Sequence, residues 1–118
     1  MKFSTVQYDS PGDDTGSNTS LNKEWIRVTN SGTTTQTLTG WTVRDPQAHI
    51  YVFPAYKLKP GKSVTLHTGP GTNTRTDLYW DAGGYVWNNS GDKAILKDGS
   101  RKLVDTCTWG DGPGSATC

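Results

Sequence analysis

The sequence predicts an all-β sandwich of about eight or nine short strands. Short runs of alternating apolar and polar residues recur along the chain, and clusters of Gly, Pro, Asn and Asp separate them. No segment shows the apolar period of a helix beyond a single turn. Five Trp, five Tyr and two Phe supply large rings for a core, although only 31% of the residues are hydrophobic. A chain this rich in aromatic residues is folded rather than disordered.

Strands recur at intervals of roughly ten residues, which is typical of a sandwich or barrel. In chain order, the predicted strands cover 3–9, 24–30, 33–39, 49–53, 63–68, 94–97 and 103–109, and 78–80 is a brief strand or a turn. The clearest is 24–30, where Ile26 and Val28 point to one face and the residues between them to the other. The strand at 63–68 alternates in the same way, with Val64 and Leu66 directed inward.

Polar segments connect these strands. Residues 10–22 form a polar loop with no large apolar residue before Leu21. The strand at 33–39 is rich in Thr, which is typical of an edge strand without a buried face. A partner could extend its exposed backbone at 33–37, but we favour a solvated edge. The turn at 98–102 joins the last two strands as a hairpin.

Length and charge restrict the class of protein. The 118 residues form one domain, with a core over about 3–109 and a tail over 107–118. The net charge of +1 gives no general attraction for nucleic acid. No apolar run reaches the roughly 20 residues that span a bilayer. The opening Met1–Ser4 lacks the apolar stretch of a signal peptide, so we interpret it as a start joined to a processed or excised domain.

The two cysteines, Cys107 and Cys118, lie near the C-terminal end of the sequence. The two cysteines are poor candidates for two ligands of a metal ion, because His49 and His67 are distant in sequence and the cysteine spacing matches no zinc motif. Buried free thiols are the remaining alternative to a bridge. By analogy with small exported domains we expect a Cys107–Cys118 disulfide, which implies an oxidising compartment.

An acidic loop contains Asp9, Asp13 and Asp14. Calcium binds about six to eight oxygen atoms, and a loop of this composition could supply them. The spacing is not that of an EF-hand. A solvated surface loop is the interpretation we favour, and calcium is the alternative. We expect no other cofactor.

Four rings cluster in sequence around a Gly-Gly pair: Tyr79, Trp80, Tyr85 and Trp87. Exposed rings could stack on sugars or on single-stranded nucleic acid, whereas buried rings would form the core. We expect Trp87 in the core, and Trp80 and Tyr85 as the more exposed rings. Tyr79, Trp80 and Tyr85 are therefore the candidate ligand-binding residues.

Catalytic patterns are weak in this sequence. The Gly-rich segment 67–72 has no Lys-Ser/Thr ending and opens no helix, so it is not a phosphate-binding loop. His49 and His67 occupy ordinary strand positions, and no Gly-x-Ser-x-Gly elbow occurs. We therefore expect no enzyme, with a small hydrolase as the least favoured alternative.

Six segments follow one another in a specific order between about Val6 and Trp109: 24–30, 38–45, 49–54, 58–64, 87–94 and 99–105. Together they resemble the lamin-tail domain family. The resemblance implies an immunoglobulin-like fold, which occurs at the end of nuclear lamins and in bacterial exported proteins. In bacteria such domains accompany secreted enzymes as non-catalytic binding or anchoring modules.

The chain differs from the nuclear members because it lacks coiled-coil heptads and carries a cysteine pair. It therefore resembles the bacterial exported branch, and no filament role is implied. The resemblance implies a secreted, non-catalytic module that binds an extracellular protein or polysaccharide, and we expect a monomer. The alternatives are a carbohydrate-binding module and a nucleic-acid-binding accessory domain.

Overall fold

A computed structural model describes residues 1–9, 17–88, 90–110 and 112–118. Within those residues the chain forms eleven strands and one short helix. In order they are β1 (Lys2–Gln7), α1 (Asn18–Asn22), β2 (Trp25–Thr29), β3 (Gln36–Thr37), β4 (Thr42–Arg44), β5 (Ile50–Val52), β6 (Lys57–Leu58), β7 (Ser63–His67), β8 (Asp77–Tyr79), β9 (Gly91–Lys97), β10 (Leu103–Gly110) and β11 (Ser115–Thr117).

The strands form two main sheets. One has five strands in the order β11-β1-β2-β7-β8, and the other has four in the order β10-β9-β4-β5. A small third sheet pairs β3 with β6. All described pairs are antiparallel except β7 with β8. The predicted all-β, immunoglobulin-like sandwich is confirmed.

The core lies between the two main sheets, and every second residue of the strands points into it. Ile26 on β2 lies opposite Leu66 on β7, and Val28 lies opposite Val64. These side chains are buried, while the residues between them are half-exposed. The alternation of apolar and polar residues along each strand therefore determines which side chains face the core.

A series of aromatic rings continues the core. Trp87 is 2% exposed, as predicted, and it contacts Trp80 and Trp109 at centroid distances of 5.9 and 5.6 Å. Trp109 in turn stacks on Tyr8 at 5.3 Å. Large rings thus supply the apolar area that the few aliphatic residues would leave unfilled.

A disulfide closes the C-terminal end. Cys107 on β10 is bonded to Cys118, which follows β11. Because β11 pairs with β1, the bridge joins the edge of the five-stranded sheet to the four-stranded sheet. The backbone N–H of Cys118 also donates to Ser4 O at 2.9 Å.

Three strands, β4, β6 and β11, lie where the sequence predicted none, and two predicted elements have a different form. The polar loop predicted over 10–22 contains α1, which begins after Ser17 because the Ser17 side chain accepts a hydrogen bond from the Ser20 N–H. The edge strand predicted over 33–39 shortens to β3. Its first half is turned instead, because the Asn30 side chain donates to Thr34 O and accepts from Gly32 N–H.

Among the described residues no helix is long and apolar enough to cross a bilayer.

Candidate functional site

The acidic loop, for which calcium binding is the alternative interpretation, lies mostly outside the described residues, since Asp13 and Asp14 are not among them. Asp9 is half-buried, and its backbone N–H donates to Gly114 O at 3.1 Å. Within the described ranges no group of three or more His, Cys, Asp or Glu side chains is placed to hold a metal ion. Calcium binding stays the alternative interpretation of this loop.

The candidate ring cluster is divided between two faces of the five-stranded sheet. Tyr79 points outward and stacks on His67, with 4.9 Å between ring centroids. Trp80 packs against the core, 5.7 Å from Tyr51 and 5.9 Å from Trp87. Tyr79 and Trp80 therefore do not share one flat surface.

Tyr85, the third candidate ring, is held by its hydroxyl group. Its oxygen lies 2.5 Å from Ser20 Oγ, and the side chain is half-buried. This contact attaches the segment before Trp87 to α1. The hydroxyl group of Tyr85 is thus engaged in a hydrogen bond within the protein.

The two histidines both contact acidic groups. His67 Nδ1 lies 2.8 Å from Asn22 O, and its Nε2 lies 2.8 Å from Asp77 Oδ1. Since both ring nitrogens are engaged, His67 has no nitrogen left to activate a nucleophile. His49 Nδ1 lies 2.6 Å from Asp45 Oδ2, where it helps to close the turn between β4 and β5.

A groove of about 680 Å³ lies between the segment around β6 and the loop before β8. Four cationic side chains line it: Lys57, Lys59, Lys62 and Arg75. Four hydroxyl-bearing residues also line it: Tyr56, Ser63, Thr74 and Thr76. We call this surface the basic groove.

Asn30 positions one wall of the basic groove. It is fully buried, and its side-chain amide donates to Leu58 O at 2.9 Å. Its backbone N–H donates to Lys62 O, and its backbone carbonyl accepts from Gly61 N–H. Gly61 has a φ of 74°, which a Pro-Gly turn requires at this position. The lysines therefore project from a turn with a fixed backbone.

The opposite wall is fixed by hydrogen bonds to β7 and β8. Thr76 O accepts from Thr65 N–H at 2.8 Å, and Thr74 Oγ1 accepts from Asp77 N–H at 3.1 Å. The Tyr56 hydroxyl donates to Arg75 O and so connects the two walls. Arg75 is thereby brought beside lysines that are distant in sequence.

Among the described residues, the groove cations take part in no ion pair. The ion pairs of the described residues are His49–Asp45 and His67–Asp77, and neither uses a groove cation. The pKa of Asp77 lies below its usual range, because Thr76 and His67 donate hydrogen bonds to it. Burial and the charge of Asp77 raise the pKa of Tyr56. The tyrosine therefore remains a neutral donor.

Sequence reasoning missed this groove. The sequence signal for it is a short segment with a Pro-Gly turn that carries three lysines, Lys57, Lys59 and Lys62. Arg75 carries no such signal, because only the fold brings it near. The lining combines cationic and hydroxyl-bearing residues, a set that can bind an anion.

Residues 1–111 match the family described as Lamin Tail Domain. No curated protein matches the chain.

Proposed function

Because this chain belongs to the lamin tail domain family, we propose that it is a non-catalytic, exported domain that binds an acidic polysaccharide outside the cell. The observation that carries this proposal is the basic groove. Four cations line one surface, and within the described chain none of them is in an ion pair. An anionic ligand is the natural complement of such a surface.

A polysaccharide fits the groove better than a nucleic acid does. The net charge of +1 gives the protein no long-range field for a phosphate polymer, so its attraction for anions is local. The lining hydroxyls of Ser63, Thr74 and Thr76 can exchange hydrogen bonds with sugar hydroxyl groups. A chain of sugars with spaced carboxylates would use both features.

The disulfide supports export. A Cys107–Cys118 bridge persists in oxidising surroundings, and most cytosolic proteins keep their thiols reduced. The proposed module is a single domain that acts as a monomer. By binding an acidic surface, it anchors itself or a protein attached to it there. Two alternatives remain for the test: a neutral-sugar binding module and a nucleic-acid-binding accessory domain.

The test measures binding of polygalacturonate by isothermal titration calorimetry at low and high salt. We expect binding that weakens as salt rises, because exposed charge pairs are screened. A variant with Lys57, Lys59, Lys62 and Arg75 changed to Gln should bind at least about tenfold more weakly, at roughly two- to fivefold per charge.

The matched control changes four exposed lysines outside the groove: Lys2, Lys23, Lys93 and Lys102. It should bind almost as the parent does. An equal loss of affinity in both variants would mean that the net charge of the protein, and not the groove, accounts for the binding. Tighter binding of a neutral glucan or of single-stranded DNA would favour the corresponding alternative and end the proposal.

A further inference from the structure

One edge of the four-stranded sheet is β5, which among the described residues pairs with β4 alone. Ile50 and Val52 on this strand are 48% and 58% exposed. Edge strands are usually protected by charged or bent residues, because an open edge accepts further strands. Here both outward side chains are β-branched and apolar.

The backbone of these two residues also faces outward. Asp45 N–H donates to His49 O, and Phe53 N–H donates to Trp41 O, so residues 49 and 53 face β4. Tyr51, opposite Val43 in the register, belongs to the same set. Alternate residues of an antiparallel strand direct their N–H and C=O groups to opposite edges. Ile50 and Val52 therefore present theirs to the free edge.

Three cations lie beside these residues on the same surface. Arg44 and Lys97, together with Arg101 from the following turn, line a groove of about 480 Å³ with Thr42, Ile50 and Val52. The lining contains no carboxylate. None of the three cations takes part in either ion pair of the described chain.

We propose that β5 is a docking edge for an extended acidic segment of a partner protein, which adds to the sheet as a further strand. Its backbone would exchange hydrogen bonds with Ile50 and Val52, as in strand addition elsewhere. Its apolar side chains would cover those two residues. Its acidic side chains would reach over the sheet face toward Arg44, Lys97 and Arg101.

Charge complementarity favours this occupant over a second copy of the chain. A two-fold pairing of β5 with itself would place a second Arg44, Lys97 and Arg101 on the same face, without carboxylates between them. Like charges on one sheet face are unfavourable. An acidic segment instead neutralises the cations that the fold leaves without partners.

The turn before β5 keeps this edge in place. Asp45 is fully buried and accepts hydrogen bonds from the backbone N–H groups of Gln47 and His49. Pro54 follows the last residue that faces β4 and limits the strand's length. The docking edge is therefore preformed but short, so the expected affinity is modest.

The experiment titrates the whole chain with a capped synthetic peptide in which Glu and Val alternate at every second position and Thr fills the positions between them. Both kinds of side chain then lie on one face of the added strand. NMR chemical shifts of the protein report the binding. We expect the largest shifts at 50–52. Methylating the peptide nitrogens that face β5 should weaken binding about tenfold, because it removes the donors of about two backbone hydrogen bonds. Methylating the alternate nitrogens, which point away, should leave binding nearly unchanged.

Side-chain variants separate this edge from the basic groove. Changing Arg44, Lys97 and Arg101 to Gln should weaken peptide binding at least about fivefold, whereas changing Lys57, Lys59 and Lys62 to Gln should not. Equal sensitivity to both peptide methylation patterns would overturn strand addition. Dimerisation through β5 without peptide, or displacement of the peptide by single-stranded DNA, would assign the edge to another occupant. Loss of polysaccharide binding in the groove would leave these results unaffected.

Discussion

Glu24 and Trp87 are joined by a hydrogen bond in which the backbone N–H of Trp87 donates to Glu24 Oε1 at 3.1 Å. The same oxygen accepts from Val86 N–H at 2.8 Å and from the Thr68 hydroxyl at 2.7 Å. Glu24 is fully buried. One carboxylate therefore fixes an irregular segment of backbone and, through it, the indole at the centre of the aromatic core.

Removal of this carboxylate should be among the most destabilising changes in the protein. Glu24→Ala leaves three buried donors without their acceptor, at a cost of about 3–5 kcal/mol. Glu24→Gln retains a carbonyl oxygen and should cost less. Urea unfolding monitored by Trp fluorescence measures both. Equal losses would mean that the negative charge of the carboxylate, rather than the volume of the side chain or a neutral acceptor oxygen, holds the segment.

The disulfide should contribute about 3 kcal/mol, as expected for a loop closed over a sequence separation of 11. Cys118→Ser, or reduction of the parent, should lower the melting temperature by roughly 10 °C. Amide exchange should become faster in β11, which the bridge attaches to β10. A reductant should have no effect on the variant, which is the control. An unchanged melting temperature on full reduction would contradict the expectation.

Alkaline pH should destabilise the fold through Tyr51, since burial raises its pKa from 10.0 to about 12. The unfolded chain loses this proton at lower pH than the folded chain does. Stability from this group is therefore complete below pH 10.0 and is lost as the pH rises towards 12, by about 2–3 kcal/mol. Tyr51→Phe should behave as the parent near neutral pH and lose less stability above pH 10.0. The urea midpoints of the parent and the variant, measured near neutral pH and above pH 10.0, give the comparison.

The sequence predicted best where a residue's neighbours along the chain decide its environment. Ile26, Val28, Val64 and Leu66 were assigned correctly because a period of two follows from strand geometry alone. Glu24 was missed as an anchor, since no local pattern indicates which distant N–H groups will meet a carboxylate.

Edges were harder to predict for a related reason. The polar composition of 33–39 favoured an edge strand there, but the buried Asn30 amide turns the first half of this segment, and only β3 remains a strand. The apolar alternation in β5 is equally compatible with a buried strand. Only the order of strands in the sheet places Ile50 and Val52 at an open side.

Acid should destabilise the fold partly through Asp77. Its pKa lies below 3.8, first because the Thr76 hydroxyl donates to it and then because His67 does. A lowered pKa means that the stability from this group is present above the ordinary value and is lost as the pH falls through the folded value. Asp77→Asn should therefore show a shallower loss of stability in acid than the parent. It should also lower the pKa of Tyr56, which the charge of Asp77 raises; an unchanged Tyr56 titration would contradict this coupling.

The loop that carries Arg75 depends on close contact between Gly71 and Tyr79. A Cβ atom at Gly71 would lie 2.5 Å from Tyr79 Cδ2 and 2.8 Å from its Cγ, which is closer than atoms can approach. The ring cannot move away freely, because it stacks on His67 at 4.9 Å. Gly71→Ala should therefore cost about 1–3 kcal/mol in the free energy of unfolding.

A double-mutant cycle tests whether the ring is the cause. In the Tyr79→Ala background, Gly71→Ala should cost almost nothing, because the atoms that it would meet are gone. Gly83→Ala is the matched control, since its added Cβ meets no atom within 4 Å, and it should change stability by less than about 0.5 kcal/mol. An undiminished cost of Gly71→Ala without the ring would mean that the backbone of the loop, rather than Tyr79, requires glycine.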